Sequence, residues 1–115
     1  WANAETWITN NFQRNHNFVL YGAEDNGSYK GILLPGYASL QNYDFLIRIM
    51  VRYDSNAKFL INPSADTYIR DNNGNIYTYD SSSSTFPNGS VGMGKGDVLE
   101  LYYHDKNYYL VNHRT

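Results

Sequence analysis

The side chains of this 115-residue chain that could carry acid–base or metal chemistry are three histidines and eleven carboxylates. His16, His104 and His113 show no His-x-His or His-x-x-x-His spacing that would pre-form a metal site. His104 and His113 belong to one closing hairpin and can approach across its strands, but no convergent groups surround them and both are expected at the surface. Most of the acids (Glu5, Glu24, Asp25, Asp44, Asp54, Asp66, Asp71, Asp80, Asp97, Glu100 and Asp105) stand in or beside turn-like sequences, where Asp bonds its own backbone. A glycosidase needs two carboxylates across a cleft, one with a raised pKa, and turn placement argues against that pairing. Asp71-Asn72-Asn73-Gly74-Asn75 is read as a hairpin turn, because the calcium-loop pattern requires Asp where Ile69 stands. No serine lies in a Gly-x-Ser-x-Gly elbow, and Gly92 to Gly96 lacks the spacing of a phosphate loop. The expectation is a chain with no catalytic residues, no metal and no cofactor.

What remains is an aromatic, amide-rich surface. The chain holds 12 tyrosines, and Asn is also frequent. Tyr68, Tyr77 and Tyr79 flank one turn, and Tyr102, Tyr108 and Tyr109 lie on the final hairpin. Tyrosine combines an apolar ring with a polar tip, so these six are candidate ligand-binding residues for a sugar, whose C–H faces stack on rings while amides bond its hydroxyls. The same residues also suit plain packing on a half-buried sheet. Both readings stand.

The elements that would position them are strands. Phe45, Ile47, Ile49, Val51 and Tyr53 alternate onto one face of a central strand, leaving Leu46, Arg48, Met50 and Arg52 on the other. Leu99, Leu101 and Tyr103 share the core face of the closing hairpin, opposite Val98, Glu100, Tyr102 and His104. Asp105-Lys106-Asn107 is its polar connection. Phe18–Tyr21 and Tyr29–Leu34 are expected to form a hairpin through Asn26-Gly27, and residues 67–70 pair with residues 75–80 around Gly74. Lys58–Asn62 and Val91–Met93 add short strands, Tyr37–Asn42 reads as an irregular stretch or edge strand, and residues 81–89 form a polar loop. Eight or nine short strands at this spacing predict an all-β fold, a β-sandwich or jelly-roll-like architecture.

Residues 1–12 are the expected helix, with Trp1, Ala4, Ile8 and Phe12 on one stripe beside Trp7. A segment so short and apolar must pack on something. Either it docks on its own sheet, or Trp1, Trp7, Ile8 and Phe12, with Leu46 and Met50 of the central strand, meet other copies of the chain. The boundaries are then 1–12 for the helix and 13–115 for the β domain.

A formal charge of −2 and scattered Lys and Arg disfavour nucleic acid as a ligand. The longest apolar stretch, Phe45–Val51, is broken by Arg48, so no membrane insertion is expected. There is no cysteine, which excludes disulfides and thiolate chemistry. The opening Trp1-Ala2-Asn3 suggests a piece of something longer.

Both ends carry a resemblance. Gly96, Asp97, Tyr103, Asn107 and Tyr109 match the "gly-asp, strand, tyr-asp-gly-x-asn-trp-tyr, strand" ending of many bacteriophage fibre proteins, with His104-Asp105 in place of Asp-Gly and Tyr108 in place of Trp. Ala4, Trp7, Ile8, Asn11 and Phe12 resemble the "ala-x-x-trp-val-x-x-asn-phe" element between fibre shaft and knob, with Ile8 for Val. The resemblance touches about 30 of the 115 residues. It implies a non-enzymatic C-terminal knob of a head or tail fibre, a homotrimer on the virion surface that attaches to a host glycan or protein. The alternatives are a polysaccharide-degrading depolymerase domain using acids from the Asp66–Asp80 region, and a bacterial carbohydrate-binding or adhesin module.

Overall fold

The computed structural model describes residues 7–24, 29–40, 43–79 and 91–115, with Trp7 and Arg14 described by backbone alone. Two sheets enclose one core, so the chain is an all-β sandwich with short helices. The strands are β1 (Asn17–Leu20), β2 (Tyr29–Leu33), β3 (Phe45–Val51), β4 (Lys58–Asn62), β5 (Tyr68–Arg70), β6 (Ile76–Thr78), β7 (Val91–Met93), β8 (Val98–His104) and β9 (Asn107–Arg114). One sheet has six strands in the order β1-β3-β8-β9-β5-β6, and the other has three in the order β2-β4-β7.

Alternation decides the layers. Phe45, Ile47, Ile49 and Val51 of β3 are buried and face Leu99, Leu101 and Tyr103 of β8 across an antiparallel ladder. Phe59 and Ile61 of β4, with Val91 and Met93 of β7, fill the core from the smaller sheet. Burying each such side chain contributes about 1.5–3 kcal/mol before the entropy of ordering is subtracted.

The Asn26-Gly27 hairpin is not formed as a strand pair. β1 runs parallel to β3, and β2 runs parallel to β4 in the opposite sheet. Both segments bring apolar residues to the core, Phe18 and Leu20 from one and Ile32 and Leu34 from the other, and a sandwich buries these best from opposing layers. Residues 25–28 lie outside the described residues. Beside this crossing the backbones close tightly: Asn56 N–H donates to Gly22 O (2.8 Å), and a Cβ on Gly22 would lie 2.4 Å from Ala57 Cβ. Buried Ser55 completes the junction by accepting from Gly22 N–H (3.2 Å) and donating to Ala57 O (2.9 Å).

The first helix, α1 (Trp7–Asn11), continues into a 3-10 turn at Phe12–Arg14. It docks on its own sandwich: Ile8 has no exposed surface, and Thr9 Oγ1 donates to Leu33 O at 3.0 Å. Ile8 is therefore removed from the set of inter-chain candidates, because this chain's own core already desolvates it. Phe12 is half-buried against the same core, and Trp1 lies outside the described residues. Within the stretch read as irregular or as an edge strand, Tyr37–Leu40 is a helical turn, α2, preceded by Pro35-Gly36 and anchored by buried Leu40.

The closing hairpin is the centre of the large sheet. Asp105 (φ 42°) and Lys106 (φ 72°) form a two-residue turn with both residues left-handed, the geometry that matches strand twist. It pairs Tyr103 with Tyr108 and points both rings inward. Tyr108 is fully buried, which corrects its assignment as a ligand-binding residue; its hydroxyl donates to Pro35 O at 2.7 Å. Burial, then the neighbouring Tyr103, pushes that hydroxyl's pKa well above the ordinary phenol value. Tyr108→Phe keeps the ring but orphans the buried Pro35 carbonyl, so denaturant unfolding should show a loss of about 1–3 kcal/mol. Tyr109→Phe, on the exposed face, should stay within about 0.5 kcal/mol.

Candidate functional site

The outer face of the six-stranded sheet carries the remaining aromatic candidates. Register aligns Arg70 of β5, Tyr109 of β9, Tyr102 of β8 and Leu46 of β3 in one row across the strands, with Ile76 of β6 at its end. The neighbouring row holds Thr78, Tyr68, Asn107 and His104. Tyr102 and Tyr109 are 36% and 39% exposed, with ring centroids 6.4 Å apart and planes 26° from parallel. Tyr102 and His104, two residues apart on one strand, stand within 5° of parallel at 6.4 Å. The result is a ledge of stacked, partly exposed rings.

Asp44 closes one end of the ledge. It precedes β3 and follows the Phe45–Tyr103 register to lie opposite His104. Its Oδ1 lies 2.8 Å from His104 Nδ1, and its Oδ2 accepts from the Tyr102 hydroxyl at 3.3 Å. The Asp44 hydrogen bond, then its charge, raises the His104 pKa above the ordinary 6.5. Desolvation, then the charge of Asp44, raises the Tyr102 hydroxyl, which stays protonated as the donor. At the other end, Arg70 Nε donates to Asn107 Oδ1 at 2.6 Å, and Asn107 Nδ2 donates to Asp105 O at 2.8 Å. The ledge thus offers partly exposed rings between a held carboxylate and a held amide–guanidinium pair, an arrangement suited to binding hydroxyl-bearing ligands.

Below Asp44 a groove of about 720 Å³ runs between α1 and the sheet, its walls including Phe12, Gln13, His16, Ser39 and Tyr43. Phe12 and His16 are stacked in it at 4.7 Å, and both rings lean on Phe45.

A smaller cleft of about 470 Å³ lies between the Asp71 turn and the end of β9, bordered by Tyr77, Leu110, Val111 and His113. Val111 is the extra residue of a bulge between the Glu100–Asn112 and Leu101–Leu110 pairs. Asp71 accepts from Asn73 N–H and Asn75 N–H, both at 2.9 Å, from Asn75 Nδ2 at 2.8 Å and from the Tyr77 hydroxyl at 3.4 Å. The Asn75 side chain leads in holding its pKa below the usual carboxylate value. A general acid requires the opposite shift, which argues against Asp71 in that role. Asp80 lies outside the described residues. Among the described residues, no three metal-ligating side chains converge.

Of the six tyrosines named from the sequence, Tyr102 and Tyr109 come together, and half-buried Tyr68 lies one row away. Tyr77 points inward to pack partly on the core, and Tyr79 is exposed beyond the end of β6. Leu46 is 58% exposed beside Tyr102, while Met50 is half-buried on the same face. The sequence reading missed Asp44 and His104 as site residues. The alternation signal in Tyr102-Tyr103-His104 places His104 with Tyr102, but the Asp44 contact needs the β3–β8 register. His104 and His113 lie at opposite ends of the hairpin, since the first pairs with Asn107 and the second with Leu99.

The ion pair has a definite pH signature. His104 has a folded pKa above its unfolded value, so its contribution to stability is complete below about pH 6.5 and is lost as pH rises through the raised value. An NMR titration should give His104 a midpoint above 6.5, and Asp44→Asn should move that midpoint down. An unchanged midpoint in Asp44→Asn would refute the contact. No family model, no curated protein and no solved structure matches this chain.

Proposed function

We propose that this chain is a non-enzymatic attachment module that binds a surface glycan on the Tyr102–Tyr109 ledge. The observation that carries this reading is the Asp44 carboxylate, held between the Tyr102 hydroxyl and His104 Nδ1 beside partly exposed aromatic rings. Sugar C–H faces pack on such rings, and a fixed carboxylate accepts from sugar hydroxyls with its remaining lone pairs. The fibre-like ends supply the setting of the proposal: the knob of a homotrimeric phage fibre, exposed on the virion surface and directed at a host glycan. Self-contact in that setting uses the far end of the same face, where exposed Val19 pairs with half-buried Met50. Arg48 and Glu100 form a polar row between that apolar end and the ledge.

Two measurements test the reading. On a glycan array, the chain should bind a defined set of structures, and Tyr102→Ala or Asp44→Ala should weaken binding at least about tenfold, equivalent to about 1.4 kcal/mol. Binding that survives both substitutions would move the site elsewhere. Light scattering should give three times the 13.3 kDa chain mass, and Val19→Lys should lower it. A monomer at tens of micromolar would remove the trimer from the proposal.

A further inference from the structure

Asp44 belongs to two surfaces at once. It terminates the Tyr102–His104 ledge, and it also forms the lip of the groove beneath α1. Tyr43 and Asp44, both exposed and adjacent in the chain, line the groove on the side from which Asp44 reaches Tyr102 and His104. The groove has the volume of a small-ligand site and a mixed lining. Gln13 offers an amide and Ser39 a hydroxyl, both on exposed residues, while Tyr43 is 64% exposed and presents a third ring. Its floor is built on the core: Phe12 packs on Phe45 at 4.6 Å, and Phe45 stacks on buried Tyr103 at 5.2 Å, the inward neighbour of Tyr102 on β8.

We propose that ledge and groove form one continuous site for a neutral, hydroxyl-rich oligosaccharide, which bends over Asp44 so that one sugar lies on Tyr102 and the following sugars enter the groove beside Gln13 and Tyr43. This rests on the glycan-binding reading above and names its ligand class. Length follows from geometry, because a single sugar on the ledge leaves the groove unfilled. Neutrality follows from charge. A uronate or sialate at the lip would set its carboxylate against the exposed Asp44 carboxylate, and adjacent like charges repel. The hydroxyls that meet Asp44 act as donors to the carboxylate lone pairs not used by His104 and Tyr102.

The test is an NMR and calorimetric titration of the full chain with gluco-, galacto- and manno-oligosaccharides of one to six units, alongside oligogalacturonates. Affinity should rise at least about tenfold from the monosaccharide to the tetrasaccharide of the preferred neutral series. Amide shifts should appear at Asp44 and Tyr102 with every length, and at Gln13 and Tyr43 only with the longer ones. Gln13→Ala and Tyr43→Ala, both exposed and therefore expected to fold, should reduce tetrasaccharide affinity toward that of the monosaccharide while leaving the latter unchanged. Affinity independent of length, or shifts confined to the ledge, would overturn the continuous site and leave glycan binding on the ledge intact. Preference for oligogalacturonates would overturn the neutral class. No shift at Tyr102 or Asp44 with any sugar at tens of millimolar would count against the glycan-binding reading itself.

Discussion

Tyr103 and Tyr108 face each other across the tight turn at Asp105–Lys106, and both rings are fully buried. Because side chains alternate along a strand, fixing these two inward forces Tyr102, His104 and Tyr109 outward. A slip of one residue would exchange the two sets and expose the core tyrosines, so the hydrophobic cost of exposing the core also maintains the outer ledge. The hairpin sits between β3 and β5 in the middle of the large sheet, so its register propagates in both directions. It sets Phe45 opposite Tyr103 on one side and Ile69 opposite Tyr108 on the other.

Burying tyrosine in this position requires partners for its hydroxyls. Tyr108 donates to Pro35 O, and the Tyr103 hydroxyl accepts from Lys106 N–H at 3.2 Å. Each bond reaches a segment that the strand ladders leave open: the loop before α2 in one case and the hairpin turn in the other. Buried Thr67 does the same for α2, accepting from Tyr37 N–H at 2.9 Å. The sandwich therefore uses side-chain hydroxyls to close its crossings. Unsatisfied backbone groups there would each cost about 1–3 kcal/mol. Those closures position the walls of the groove, which include Pro35 before α2, Ser39 within it and Phe12 just after α1.

Local signals in the sequence were sufficient where the structure is local. Alternation identified the core faces of β3 and β8 with two exceptions: Tyr53, read with the core face, lies past the end of β3 and is exposed, and Val98, read on the outer face, is buried. The Asp71–Asn75 segment folds as the expected hairpin turn with Gly74 at φ 87°. The choice between Tyr108 and Tyr109 was also written there. A turn of two residues after inward Tyr103 requires Tyr108 inward, whereas reading Asp105-Lys106-Asn107 as a three-residue connection blurs the phase. Strand partnership was less legible. Asn26-Gly27 is a strong local turn sequence, yet β1 and β2 pair with β3 and β4 because four inward residues bury better from opposing sheets. α2 is one turn long and lacks periodicity to detect. Asp44 escaped notice for the same reason as the parallel pairs, because its neighbours are set by register between segments 58 and 60 residues apart.

The Asp44–His104 pair is fully on the surface, where ion pairs contribute little to folding and cost side-chain freedom. Core burial already determines the fold without it. Its consequence is local: the carboxylate is fixed in orientation, the Tyr102 hydroxyl is committed as a donor, and two rings are kept near parallel. A carboxylate free to rotate would pay an ordering cost on meeting a ligand, and one already bonded on each oxygen does not. The same sheet that buries Tyr103 therefore delivers, one residue away, a polar group whose geometry is set before any ligand arrives. Preorganisation of this kind favours ligands that match two hydroxyl positions at once and gives no advantage to an unstructured apolar contact.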